Sequence, residues 1–253
     1  MRLSQKALCC SILAAGLAAA LGTTASAQGN IRSVTFYTVK SDRIGDFLAE
    51  IKQYNALLAK GGSTRTYTMW LSLTGPRTYA QAVYYKTWAD LDAGADPKMK
   101  DEATDLARIG MRITDCTESY RRVIEEIDPD LSLPDSGTIP KMIRVLVTQV
   151  RPDKVGDYLA LAKSDIVPGI KKSGAKDYSL ARGRFGESSA IITSVTGIDA
   201  WADFDGGTGV EKALGKEGYQ KFLLKLTPLI VSSEWNVYRY QPDISYLPAQ
   251  AAK

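Results

Sequence analysis

Apolar and polar positions first fall into a regular pattern at Val34. Val34-Thr35-Phe36-Tyr37-Thr38-Val39 is β-branched and aromatic, which predicts a strand. Asp42 follows and can cap a helix through its carboxylate. Ile44, Phe47, Leu48, Ile51 and Leu58 then recur at helical spacing, a buried stripe that ends at Gly61-Gly62. Thr66 to Ser72 and Ala80 to Lys86 predict two strands about a turn at Gly75-Pro76. A helix from about Lys98 to Thr114 and a strand from Ser119 to Glu125 complete the first half.

The pattern then repeats. Val39-Lys40-Ser41-Asp42-Arg43-Ile44-Gly45-Asp46-Phe47-Leu48 is matched by Val150-Arg151-Pro152-Asp153-Lys154-Val155-Gly156-Asp157-Tyr158-Leu159, in chemical type at every position but Ser41 and Pro152. The same spacing carries Val34 onto Val145, Tyr67 onto Tyr178 and Gly75 onto Gly186. The second half predicts a strand from Met142 to Val150 and a helix from Asp153 that bends or breaks near Pro168-Gly169. Strands follow at Tyr178 to Arg184 and Ser189 to Thr196, then a helix through Phe222, Leu223 and Leu226, and a strand from Trp235 to Tyr240. Glycines 45 and 156 hold the same place in both copies, which predicts close backbone packing there.

The expected fold class is therefore α+β: two tandem ferredoxin-like (βαββαβ) units, at 28–128 and 141–253, joined by a linker at 129–140. A sheet with both helices on one face leaves the other face bare. Two such units cover each other by closing into an intrachain barrel. Val34 and Phe36, with Val145 and Val147, are assigned to the helix side. Thr35 and Tyr37, with Leu146 and Thr148, are assigned to a partly polar inner space.

Composition narrows the chemistry. The 253-residue chain opens with Arg2 and Lys6, an apolar run from Ala7 to Gly22, and Ala25-Ser26-Ala27 before Gln28. That is the layout of a secretory signal at 1–27 cut after Ala27, so a periplasmic or secreted protein is expected. The run is short of the ~20 residues a spanning helix needs, so no stable membrane insertion after cleavage is expected. Cleavage leaves Cys116 as one thiol, read as a small buried hydrophobe. There are no histidines, which removes Ser-His-Asp and Cys-His catalysis and histidine-held metals; no metal and no cofactor are expected. The 32 Lys and Arg and 28 Asp and Glu residues form no one-faced cluster of the kind that nucleic acid needs.

The strand–[Lys/Arg]-x-Asp-[Lys/Arg]-[Ile/Val]-Gly-Asp-[Phe/Tyr]-Leu entry, present twice, resembles the dimeric α/β-barrel superfamily, with its antibiotic-biosynthesis-monooxygenase-like and NIPSNAP-like families. The resemblance implies two ferredoxin-like units around a barrel cavity, usually across a dimer and here within one chain. Haem-using branches rely on a histidine that this sequence lacks. A cofactor-free branch binds flat aromatic or quinoid substrates, but no motif carries a catalytic residue over.

Candidates for lining such a cavity are Tyr37, Tyr67, Trp70, Tyr85, Tyr178, Arg182 and Trp235; the alternative is that the aromatics fill the barrel. Arg182 and Arg184 read equally as anion binders inside or as charges on a solvated edge. Gly206-Gly207-Thr208-Gly209 lacks the spacing of a phosphate loop and reads as a plain helix start. Asp90, Asp92, Asp203 and Asp205 read as turn and cap residues before cation ligands. Three functions are carried forward. The first is binding of a small apolar or aromatic molecule without chemistry. The others are a cofactor-independent oxygenase or isomerase of quinoid or aromatic compounds, and an interaction module with a filled barrel. A homo-oligomer is left open.

Overall fold

The computed structural model describes residues 29–92 and 96–248. The expected leader and its cut lie outside the described residues. The elements run β1 (Ile31–Val39), α1 (Ile44–Lys60), β2 (Thr68–Ser72), β3 (Tyr79–Tyr85), α2 (Ala103–Asp115) and β4 (Thr117–Ile127). They continue β5 (Met142–Val150), α3 (Val155–Leu161), α4 (Val167–Lys172), β6 (Tyr178–Phe185), β7 (Ile191–Ile198), α5 (Gly209–Leu226) and β8 (Ile230–Tyr240).

The strands close into one antiparallel eight-stranded barrel in the order β1-β3-β2-β8-β5-β7-β6-β4. Closure gives every strand a hydrogen-bonded neighbour on both sides. Two seams join the halves of the chain. One runs from Trp70↔Tyr240 to Ser72↔Tyr238, the other from Ile124↔Phe185 to Ile127↔Ala181.

The helices pack on the outside and make two cores. Phe47, Ile51 and Leu58 of α1 meet Ile109 and Ile113 of α2 over Met69 and Tyr79. Tyr158, Leu161, Ile170 and Phe222 meet Leu180 and Ile192 on the other side. Phe47 is fully buried with its ring 5.1 Å from that of Tyr79 and 5.7 Å from that of Tyr37. Burying one such ring stabilises by about 1.5–3 kcal/mol.

The exits from β4 and β8 are exchanged. Leu131, in a turn capped by the Asp128 carboxylate, is buried in the α3–α5 core, and Leu133 N donates to Tyr178 O at 2.8 Å. Ile244 is buried in the α1–α2 core, and Tyr67 pairs with Tyr246. Each strap thus ties one half to the other half's core.

Several expectations change. The phase of β1 and β5 is opposite to the one assigned: Val34, Phe36, Val145 and Val147 line the barrel interior, and Tyr37 and Val39 face α1. The polar atoms on the helix side find local partners, as where the Tyr37 hydroxyl donates to Gln81 Oε1 at 3.1 Å. Asp42 does not cap α1, because residues 41–43 form a 3-10 turn that places Arg43 at the cap. A Cβ on Gly45 or Gly156 would meet nothing within 4 Å, so neither glycine is required by packing. Pro168 stands in the first turn of α4, behind a π-turn at Ala162–Ile166 that accommodates the missing N–H and lets the chain continue helically. Asp90 and Asp203 accept backbone N–H groups of their own turns in equivalent loops. Thr208 and Glu211 form a capping box at the start of α5, where the Gly-rich loop ends.

Candidate functional site: the barrel cavity

The barrel is not filled. Its interior and open mouths together form one continuous space of about 2160 Å³. One reason is small side chains on β3, where Ala80 and Ala82 point inward beside Trp70. Val34, Phe36, Ile143 and Tyr238 continue an apolar wall. The Trp70 ring lies 5.3 Å from that of Tyr240, and its Nε1 donates to Thr68 Oγ1 at 2.9 Å. Residues Leu133 to Pro140 of the expected linker, apart from Ser136, and Tyr246 to Pro248 of the last strap line the cavity as well.

One wall differs in kind. Arg32 on β1 is 3 % exposed; its Nε donates to Glu125 Oε2 on β4 at 2.8 Å and its Nη1 to Ser179 Oγ on β6 at 3.2 Å. Burial works against the Arg32 charge, but the Glu125 carboxylate and the neighbouring Tyr84 outweigh it and hold the guanidinium above its ordinary value. Arg121, also on β4, reaches into the same space with its guanidinium 5.2 Å from the Phe36 ring centre. Its Nη1 lies 3.9 Å from Glu187 Oε2. Burial, followed by the charge of Glu125, pushes the Glu187 carboxyl up to about 7.

Two glycines place Glu187, which sits in the β6–β7 hairpin. Gly186 has φ +80°, and a Cβ there would lie 2.2 Å from Arg122 O. Gly183 leaves open the inward position that Glu187 fills, since a Cβ there would lie 2.8 Å from Glu187 Cγ. Without both glycines the hairpin could not fold this carboxyl back into the barrel.

The internal repeat makes the charges conspicuous. At the corresponding positions of the second half, Ile143 replaces Arg32, Tyr238 replaces Glu125 and Glu234 replaces Arg121. Pro76 stands where Glu187 does. Packing needs common to both halves therefore do not account for the charged wall.

The residues singled out in the sequence divide into three groups. Trp70 lines the cavity wall. Tyr67 and Tyr178 reach the cavity from the helix-side cores, with the Tyr67 hydroxyl donating to Asn55 Oδ1 and the Tyr178 hydroxyl 3.2 Å from Ser194 Oγ. Tyr37, Tyr85, Arg182 and Trp235 lie outside it. Tyr37 lines a smaller groove of about 320 Å³ beneath α1 and α2. Tyr84, next to Tyr85, is the residue that points inward. Arg182 Nε donates to Ser189 O at 2.8 Å, and Arg184 pairs with Glu126, half exposed. Trp235 is exposed and stacks on Arg144 at 4.7 Å.

Arg32, Arg121, Glu125 and Glu187 were missed. The signal for the first was in reach, because Arg32 shares the inward parity of Val34 and Phe36. Among the described residues, no group of histidine, cysteine, aspartate or glutamate is placed to hold a metal ion.

No family model and no curated protein matches the chain. Solved structures do. A protein from Fusobacterium nucleatum, provisionally named a monooxygenase, superposes with TM-score 0.58 at 10% identity, over 83% of this chain and 91% of that one. The fold is the dimeric α/β barrel. A second provisionally named monooxygenase, from Lactobacillus acidophilus, gives TM-score 0.54 at 8% identity over 85% and 95% of the two chains. An anthrone oxidase-like protein gives 0.54 at 13% identity over 83% and 91%. At these identities the barrel is shared and the site residues are this chain's own.

Proposed function

We propose that this dimeric α/β barrel is an exported binding protein that takes up a small, largely apolar or aromatic molecule. The observation that carries the reading is the unfilled cavity, lined by Trp70, Phe36, Ala80 and Ala82 and larger than the roughly 300–1,000 Å³ of an ordinary ligand site. A filled interaction module has no comparable support. The architecture proposed with it is two tandem ferredoxin-like units, 28–128 and 141–253, whose bare faces cover each other. Support comes from the doubled helix entry and from the strand order around β1, which recurs around β5. Residues 1–27 are proposed to direct export, and N-terminal sequencing of the protein recovered outside the cytoplasm tests the cut after Ala27.

The binding reading is tested by equilibrium titration of the purified protein with pyrenebutanol, followed by fluorescence anisotropy. Saturable binding at one site supports it, and the absence of binding to any of a panel of polycyclic aromatics removes it. One observation favours a second reading, cofactor-independent oxygenation or isomerisation of an aromatic or quinoid compound. Glu187, held near neutrality beside Arg121, is a proton acceptor next to a fixed positive charge. Oxygen uptake with an anthrone or hydroquinone panel, lost in Glu187→Gln, is the test of that reading.

A further inference from the structure

A cavity meant only for an apolar body has no use for charges on its wall, and burying them is costly unless each is paired. Here the pairing is incomplete at one place. Arg32 Nη2 is buried with no acceptor at good hydrogen-bond geometry, although Nε and Nη1 are both engaged and Tyr84 lies beside the guanidinium. Glu187 Oε1 is buried and unbonded as well. Arg121 approaches Glu187 no closer than 3.9 Å, too long for a hydrogen bond, and its side chain is 60 % exposed. A free donor, a loosely held guanidinium and an unsatisfied carboxyl thus border the same space. Two guanidiniums face one firmly paired carboxylate, Glu125, so the pole is net positive whenever Glu187 is protonated.

We propose that this pole recognises an acidic group, so that the ligand is an amphipathic monoanion: a carboxylate or similar head held by Arg32 and Arg121, on an apolar or aromatic body lying along Trp70, Ala80 and Ala82. The inference rests on the reading of the barrel as a ligand site and adds the chemical class. Glu187 regulates it, because its own carboxylate competes with the head for Arg121. The charged groups facing Glu187 are Arg121 and Glu125 from β4 and Arg32 from β1. The inward positions of β6 beside it, Ser179 and Gly183, carry no charge. As pH rises through about 7, Glu187 ionises, takes up Arg121 and cancels the excess positive charge.

The test uses two probes with the same body, pyrenebutyrate and pyrenebutanol, titrated into purified protein and followed by anisotropy. At about pH 6 the acid binds about tenfold or more tightly than the alcohol, the advantage of a charge-assisted hydrogen bond. At about pH 8.5 the advantage shrinks. Arg121→Gln, a change at an exposed side chain, removes most of that advantage, costing the acid far more than the alcohol. Glu187→Gln keeps the advantage at both pH values. Equal affinity for the two probes at the lower pH, or an Arg121→Gln loss shared equally by both, overturns the anion site and leaves the cavity reading standing. Failure of both probes to bind overturns the two together.

Discussion

Replacing Glu187 by glutamine changes the pH dependence of stability in a direction the structure fixes. The carboxyl is folded back over Gly183 into the barrel, beside Glu125, and is held at about 7 against an ordinary 4.5. Folding therefore favours its protonated form. The stability it supports is complete below about pH 4.5 and is lost as pH rises through about 7, since in that window the unfolded chain ionises and the folded one does not. Undamped, the difference is worth roughly 3 kcal/mol. The cavity admits solvent and Arg121 is exposed beside it, so screening reduces this to about 1–2 kcal/mol. Urea unfolding at a series of pH values, for the protein and for Glu187→Gln, reads it directly. The two should be equally stable near pH 4.5, and the variant should be the more stable by that amount above pH 7. Parallel curves across the window would mean that Glu187 is solvated and not folded into the barrel.

Three further predictions concern the frame around the site. Gly186→Ala should cost about 2–4 kcal/mol in chemical unfolding, because it combines a left-handed backbone with a Cβ 2.2 Å from Arg122 O. Gly45→Ala should instead stabilise by up to about 1 kcal/mol, since the position is helical and open. Cys116 is 1 % exposed with its thiol pushed up by burial. In the chain beginning at Gln28, a thiol reagent should therefore modify it only at the rate of unfolding; rapid reaction under native conditions would contradict its place in the core.

The frame was legible because its signals are local or repeated. Ile44, Phe47, Ile51 and Leu58 mark a helix face by spacing alone, and the doubled entry at Val39 and Val150 marks two strand-to-helix passages, found as β1 to α1 and β5 to α3. The interior was less legible. Period-two alternation states that Val34 and Phe36 share a face but not which one, and in this barrel the apolar face looks into a cavity. The same ambiguity misdirected Tyr37, and Arg182 and Arg184 lie on the outward phase of β6 with inward Gly183 between them. Arg32 lies outside the strand that the sequence pattern predicts from Val34, whereas β1 begins at Ile31. Glu187 could not be found from spacing. Its position depends on a hairpin that turns back through Gly186 and a gap left at Gly183, which are facts of tertiary structure. The stretch Pro129 to Pro140 has the composition of a linker, and only packing reveals it as a strap along the cavity.

Ligand binding by this protein depends on the barrel interior being an open space. The most direct measurement is the dissociation constant of pyrenebutanol for Ala82→Trp, which places an indole in the cavity from β3, opposite Val34. The variant should fold and its affinity should fall about tenfold or more, as expected when the apolar contact space is occupied. Unchanged affinity in the folded variant would place the probe elsewhere on the molecule and contradict binding inside the barrel.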